Sequence, residues 1–182
     1  ALSFDGTDDY VSVPDSDYWN LTSLNGTIEM WIKANTLSGN NGHGLINQIN
    51  NDQNWALYIY NNGSIAVGKT GINEIVSSPG IIVPGTGQWY HIVTTKSGST
   101  TTIYVNGTNV ASNTTAVWTD TANLLRIGGY RYGSTDYYFN GLIDDVRVYN
   151  RALSATEVFT RATVTANTGS NKIANDYADI RF

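Results

Sequence analysis

Alternation of apolar and polar positions organises this chain. In Trp55-Ala56-Leu57-Tyr58-Ile59-Tyr60, Trp55, Leu57 and Ile59 fall on one face and Tyr58 and Tyr60 on the other. That is the period of two a half-buried strand imposes, because successive side chains leave the backbone on opposite sides. Comparable runs lie near residues 2–4, 9–13, 27–34, 44–49, 64–69, 74–77, 89–96, 101–106, 109–112, 124–128 and 139–149. Asn-Gly recurs beside them at Asn25-Gly26, Asn62-Gly63, Asn106-Gly107 and Asn140-Gly141. This dipeptide is the strongest short hairpin signal, since both residues tolerate positive φ. Helical periodicity is missing until Ser154-Ala155-Thr156-Glu157, a capping box in which Ser and Glu each serve a backbone N–H at a helix start. The pattern predicts an all-β chain of two packed antiparallel sheets, with one short helix beginning near residue 154.

The run from Leu142 to Tyr149 carries two adjacent acids. Alternation sends Leu142, Asp144, Val146 and Val148 to one face and Ile143, Asp145, Arg147 and Tyr149 to the other. A carboxylate on a strand's apolar face is costly to desolvate unless a cation or several donors meet it. Asp144 therefore reads either as a metal ligand or as the cap of a neighbouring turn.

The 182 residues fit one sandwich domain, a size at which folding buries roughly 70% of the extended-chain surface and needs no covalent staples. There is no cysteine, which removes disulfides, thiolate metal sites and cysteine nucleophiles. Only 14% of residues are charged, and the neutral polar surface this leaves suits extracellular contact with neutral ligands. A net charge of −5 argues against nucleic acid, which needs clustered Lys and Arg to displace counterions. No apolar run approaches the roughly 20 residues of a membrane helix, so membrane insertion is not expected.

Several blocks, in order, resemble a known family. They are Leu2-Ser3-Phe4-Asp5-Gly6 with Asp9-Tyr10-Val11, Thr27-Ile28-Glu29-Met30-Trp31-Ile32-Lys33, Trp89-Tyr90-His91-Ile92-Val93, Ile103-Tyr104-Val105-Asn106-Gly107, Leu125-Arg126-Ile127-Gly128-Gly129 and the segment 139–154. Together they resemble the strands of a laminin-G-like domain of the concanavalin A-like superfamily. The resemblance implies a two-sheet jelly-roll β-sandwich over residues 1–162, leaving 163–182 as a linker, an extra terminal strand or the start of another module. It also implies that the first and last strands pair. Related jelly rolls hold a calcium ion through the first Asp of Asp-x-Val-Arg-Val-Tyr, here Asp144, and groups near the N-terminal strand. The expected ligands are thus Asp144, Asp5, Gly6 and Asp8, with Asp145 as the alternative acid of the pair.

An enzyme reading finds little support. The strand most like a glucanase catalytic strand offers only Glu29, whereas glycoside hydrolysis ordinarily needs two carboxylates flanking the bond. No Gly-x-Ser-x-Gly elbow occurs. His91 reads as a packing residue and His43 as a loop residue that could touch a ligand at the rim. Aromatic rings are the remaining candidates, because sugar C–H faces lie well on Tyr and Trp. Trp31 and Trp89 are expected in the core. Tyr58, Tyr60 and Tyr104 are expected to share one open sheet face, with Tyr130, Tyr132 and Tyr137 around a loop that also holds Arg131 and Tyr138. Five sequons begin at Asn20, Asn25, Asn62, Asn106 and Asn113, and turn geometry alone explains the three that are Asn-Gly. The sequence therefore points to a non-catalytic, lectin-like carbohydrate-binding module of a secreted or cell-surface protein, stabilised by calcium. The alternatives are an adhesion or spacer module that contacts other surface proteins and, third, a glycoside hydrolase.

Overall fold

The computed structural model describes residues 1–21, 25–39, 42–48, 55–69, 71–120, 122–133, 135–168 and 177–179. In chain order the elements are β1 (Leu2–Asp5), β2 (Val11–Val13), a single 3-10 turn (Asp17–Trp19), β3 (Gly26–Thr36), β4 (His43–Gln48), β5 (Ala56–Ile59), β6 (Ile65–Lys69), β7 (Asn73–Val76), β8 (Tyr90–Ser97), β9 (Thr100–Val105), β10 (Thr108–Asn113), β11 (Leu125–Ile127), β12 (Gly129–Tyr132), β13 (Thr135–Tyr138), β14 (Asn140–Tyr149), the helix α1 (Ala155–Thr168) and β15 (Tyr177–Asp179). One antiparallel sheet runs β1-β14-β3-β8-β9-β10, with β15 also paired to β14. The second runs β2-β11-β4-β5-β6-β7, and β12 and β13 form a separate hairpin. These are the two antiparallel sheets the alternation predicts, arranged as the jelly roll the family resemblance implies.

The core lies between the sheets. Met30, Ile32, Ile92, Ile103 and Ile143 come from one side and Leu57, Ile59, Ile65, Val67, Leu125 and Ile127 from the other, joined by Trp19, Trp55, Trp118 and Phe139. Trp55 and Trp118 meet with ring centroids 5.1 Å apart. Burying each large apolar side chain contributes roughly 1.5–3 kcal/mol, so this layer is the main stabilising term. Of the four Asn-Gly pairs, Asn62-Gly63 and Asn106-Gly107 make turns, whereas Asn140-Gly141 is paired within β14 and Gly26 opens β3; three of the amides accept backbone N–H groups. Asn106 Oδ1 accepts His91 N–H at 2.9 Å, Asn25 Oδ1 accepts Gly98 N–H at 2.7 Å, and Asn62 Oδ1 accepts Ser64 N–H at 3.0 Å.

The capping box closes as the sequence predicts. Ser154 Oγ accepts Glu157 N–H at 3.3 Å and Glu157 Oε2 accepts Ser154 N–H at 2.8 Å. The helix it starts runs to Thr168 and so crosses the domain boundary expected at residue 162. It lies on the outer face of the larger sheet, where Val158 and Leu153 pack with Val93, Tyr104 and Tyr149. The buried Thr27 hydroxyl fixes its approach, donating to Arg151 O at 2.8 Å and accepting Leu153 N–H at 2.9 Å.

Beneath the helix sits a polar cluster drawn from four elements. Glu29 on β3 is 1% exposed and bonds His91 Nε2 on β8 at 2.9 Å and the Tyr149 hydroxyl on β14. Arg161 on α1 donates to Tyr149 Oη at 2.8 Å and lies 3.5 Å from Glu29 Oε2. Burial alone would raise the Glu29 carboxyl, but bonds from His91 and Tyr149 and the charges of His91 and Arg161 outweigh it and hold the group below its ordinary value. His91 is thus structural, as its strand motif implies.

Candidate functional site

The outer face of the smaller sheet carries a stack of tyrosines. Two positions without side chains admit it. A Cβ on Gly42 would run into the Tyr58 ring, and one on Gly44 would stand 2.5 Å from Tyr130 N. The β12–β13 hairpin therefore folds directly onto β4, held there by a bond from Asn47 Nδ2 to Gly129 O. Asp136 on β13 pins it from the other side, pairing with Arg126 and Arg131 at 3.0 Å each. The hairpin lays Tyr130 over Tyr58 with centroids 5.3 Å apart and Tyr137 over Tyr130 at 5.2 Å. Tyr60 meets the edge of Tyr58 at 5.0 Å. Offset pairs of this kind contribute about 0.5–1.5 kcal/mol beyond their burial.

Glu74 on β7 anchors the open end of the stack. It accepts from the Tyr58 hydroxyl, from Tyr60 Oη at 2.8 Å and from Gly71 N–H at 3.3 Å. The two tyrosine oxygens are 2.9 Å apart. Burial, followed by the carboxylate, raises Tyr58 well above the usual phenol range. Tyr60 is pushed up to about 12 by burial first and by Glu74, against an opposing bond from Tyr58. Both phenols therefore stay neutral donors at physiological pH. A carboxylate offers about four lone-pair positions, and the three bonds to Glu74 leave one for an incoming hydroxyl.

These placements correct the expectation of one solvated aromatic face. Tyr58 is 0% and Tyr130 2% exposed, because the hairpin lays Tyr130 against Tyr58 and Tyr137 against Tyr130. Tyr104 points out of the sandwich, as alternation requires, but on the other sheet, where α1 buries it against Tyr149 and Val158. What remains accessible is a rim. Tyr132 is 43% exposed, and Tyr60, Tyr137 and Glu74 are half-buried. The sequence reading missed Glu74, although alternation in Asn73-Glu74-Ile75-Val76 places it opposite the core residue Ile75.

Trp31 and Trp89 also differ from expectation. Trp31 alternates with the core residues Met30 and Ile32 and so faces outward, half-buried with its ring 4.9 Å from that of His91. Trp89 is half-buried under the Lys33 ammonium, 5.7 Å from its centroid. His43 belongs to β4 rather than a loop. It is buried, with Nδ1 3.3 Å from Tyr138 O, and burial lowers its pKa against that bond.

The acids separate into two groups. β1 and β14 pair, with Leu2 opposite Ile143 and Asp5 opposite Asn140. Asp144 is therefore four residues along the strand from Asp5, roughly 13 Å. Its carboxylate lies 3.4 Å from the N-terminal ammonium of Ala1 instead. A bulge follows at Asp145, which has φ of 50° and pairs with Arg147 at 3.1 Å. Neither acid joins the N-terminal group, so the expected ligand set does not assemble. Asp5, Asp8 and Asp9 do converge, with oxygens within 4.8 Å of one another. Gly6 makes that turn with φ of 81°, while Thr7 N–H donates to Asp5 Oδ1 at 2.7 Å and Asp5 N–H to Asp9 Oδ2 at 3.0 Å. Among the described residues no helix is long and apolar enough to cross a membrane.

The fold recurs in solved structures of low sequence identity. Domain 4 of AbnA, a GH43 extracellular arabinanase from Geobacillus stearothermophilus solved in complex with arabinotriose, is 22% identical with a TM-score of 0.63, over 85% of this chain and 72% of that one. A putative carbohydrate binding protein from Bacteroides ovatus is 17% identical with a TM-score of 0.62, over 86% of this chain and 45% of the other. A leech intramolecular trans-sialidase complexed with 2,7-anhydro-Neu5Ac is 18% identical with a TM-score of 0.65, over 91% and 29%. No curated protein shows a matching sequence. A laminin-G-type family model described as the concanavalin A-like lectin/glucanases superfamily matches residues 5–159, and the chain belongs to that superfamily.

Proposed function

We propose that this domain is a non-catalytic carbohydrate-binding module of a secreted or cell-surface protein, and that it binds through the rim of the tyrosine stack. The observation that carries the reading is the edge of the stack, where half-buried Tyr60 bonds Glu74, the 43%-exposed Tyr132 reaches Gly71 beside that carboxylate, and half-buried Tyr137 lies on Tyr130. Rings take the C–H face of a sugar while the polar groups select its hydroxyls. Cleavage is not part of the proposal. It needs a second free carboxylate beside the bond, and Asp136 on the hairpin is committed to two arginines. The neighbouring folds from carbohydrate-related proteins support the class without fixing the sugar.

We also propose a structural calcium ion held by Asp5, Asp8 and Asp9. The three acids fit the ion's preference for hard oxygen donors, and mutual repulsion of their charges would be relieved by a cation. Asp144 and Asp145 have no part in this site.

The test is titration with arabinan, galactan, xylan and sialyl oligosaccharides, followed by tyrosine and tryptophan fluorescence and by reducing-sugar release. At least one glycan is expected to bind at micromolar to millimolar concentration without release. Tyr132→Ala should weaken that binding roughly tenfold, as expected for loss of a stacking contact. If no glycan binds while a surface protein does, the adhesion reading replaces this one; release of reducing ends would restore the hydrolase.

A further inference from the structure

The chain after β2 forms an open cleft that the tyrosine platform does not include. Its volume is about 410 Å³, and its lining includes Asp17, Tyr18, Leu21, Asn25 and Asn150. That size lies in the range of small-ligand clefts. The cleft and the platform sit at opposite ends of β4. The platform covers Gly42 and Gly44 at the start of that strand. Ser16, in the cleft, follows Asp15, whose carboxylate meets Gln48 at the strand's other end, 3.0 Å away.

Local structure explains how the cleft is built. Trp19 inserts into the core and Ser16 Oγ accepts Tyr18 N–H at 3.4 Å, which fixes the 3-10 turn. With Trp19 directed inward, its neighbour Tyr18 is directed out and is 71% exposed. A single exposed aromatic side chain is ordinary and by itself means nothing. Here it edges a cleft with a buried apolar wall at Leu21. The polar groups offered to a ligand are those of Asp17, Asn25 and Asn150. The Asn25 oxygen is taken by Gly98 N–H, which leaves its NH₂ to donate. Asp17 and Asn150 have no side-chain hydrogen bond or ion pair among the described residues.

We propose that this cleft is a second, independent binding site for a neutral sugar residue. Each sugar hydroxyl both donates and accepts. Asn25 supplies a donor, Asp17 an acceptor and Asn150 one of each, so a vicinal pair of hydroxyls is matched. The ring of Tyr18 offers the apolar surface for a C–H face. No Lys or Arg is among the described residues lining the cleft, and Asp17 opposes negative charge, which excludes uronates, sulfated sugars and phosphates as preferred ligands.

An NMR titration of the ¹⁵N-labelled protein tests this with four named neutral probes, glucose, galactose, mannose and arabinose, and with glucuronate as the charged one. At least one neutral sugar is expected, at millimolar concentration, to shift the amides of Tyr18, Asn25 and Asn150. Tyr18→Ala and Asn150→Ala, both surface substitutions, should each weaken that response roughly tenfold, while Tyr132→Ala leaves it unchanged. Absence of shifts at these amides with every neutral probe overturns the inference, as do shifts that persist undiminished in both cleft variants. Glucuronate binding as tightly as glucose overturns the neutral class. Glycan binding at the platform alone sinks this site and spares that reading, and binding in the cleft alone does the reverse.

Discussion

Replacing Glu29 by Gln is the sharpest test of what holds the larger sheet to its helix. The side chain is 1% exposed and meets His91 Nε2 at 2.9 Å, the Tyr149 hydroxyl, and Arg161 at 3.5 Å. Gln keeps the shape but removes the charge, leaving the Arg161 guanidinium over the Tyr149 ring with no buried counter-charge. Breaking a buried pair by removing one partner costs about 3–5 kcal/mol. For a chain of this size each kcal/mol lowers the melting temperature by about 2–4 °C, so Glu29→Gln should melt roughly 6–20 °C below the parent. The pH dependence follows from the lowered carboxyl pKa. On acidification the unfolded state takes up the proton first, so the Glu29 contribution is complete above the ordinary carboxylate pKa and is lost as pH falls through the lower folded value. Urea denaturation followed by tryptophan fluorescence at pH 7 and at steps below pH 5 reads both effects. The gap between parent and variant should narrow toward acid. A deficit under about 1 kcal/mol at pH 7, or a gap that widens on acidification, refutes the reasoning.

Three further outcomes are expected. Ser154→Ala removes the hydroxyl arm of the capping box, the bond from Glu157 N–H to Ser154 Oγ and the one from Ser154 Oγ to Glu157 Oε2, and should cost about 1 kcal/mol, read by urea denaturation, while Arg151 and the backbone N–H of residue 154, which hold Glu157 at a pKa of about 2, stay in place; an unchanged midpoint contradicts the cap. Gly44→Ala would set a Cβ 2.5 Å from Tyr130 N, so the hairpin must shift at about 1–3 kcal/mol, and near-UV circular dichroism should lose tyrosine signal; an intact spectrum and stability contradict the close approach. Calcium in hundredfold excess over its dissociation constant should stabilise the domain by about 2.7 kcal/mol, an effect that Asp8→Asn abolishes and Asp144→Asn preserves; a calcium response lost only with Asp144 would move the ion to the other acid.

The positions of the strands and of the helix start were readable because alternation and a capping box are local signals, whereas which strands share a sheet was not, as Tyr58 and Tyr104 on different sheets show. Twelve runs read as strands coincide with strands or strand ends of the two sheets, and the helix begins where Ser154 and Glu157 place it. Side-chain direction was readable where a strand runs unbroken, since Tyr58 and Tyr104 both leave the sandwich on its outer faces, but not across the bulge at Asp145, beyond which Ile143 and Val146, assigned by alternation to opposite faces, both enter the core. Register was not readable. Whether Asp144 meets Asp5 depends on how β1 slides along β14, and the pairing of Asp5 with Asn140 is set by close contacts such as the approach of Gly6 to Asn140. No periodicity within one strand encodes that choice, which is why two well-spaced acidic motifs could look like one site.

Exposure failed for a related reason. Alternation divides a strand into two faces but says nothing about what lies on the outer one. The segment from Gly129 to Tyr138 read as a loop because its two strands are four residues each and rich in polar groups, yet Gly42 and Gly44 open β4 to it and it buries Tyr58. The helix does the same to Tyr104 on the opposite face. Each cover stops short. At the edge of the hairpin, Tyr60, Tyr132 and Tyr137 stay half-open while Tyr58 and Glu74 behind them are fixed by stacking and hydrogen bonds. Rings and hydroxyls held in place this way lose little freedom when a ligand arrives, so binding costs less entropy there than on an open sheet of mobile tyrosines. The cover that hides half of the expected aromatic surface is therefore the feature that makes the remaining rim a credible place for recognition.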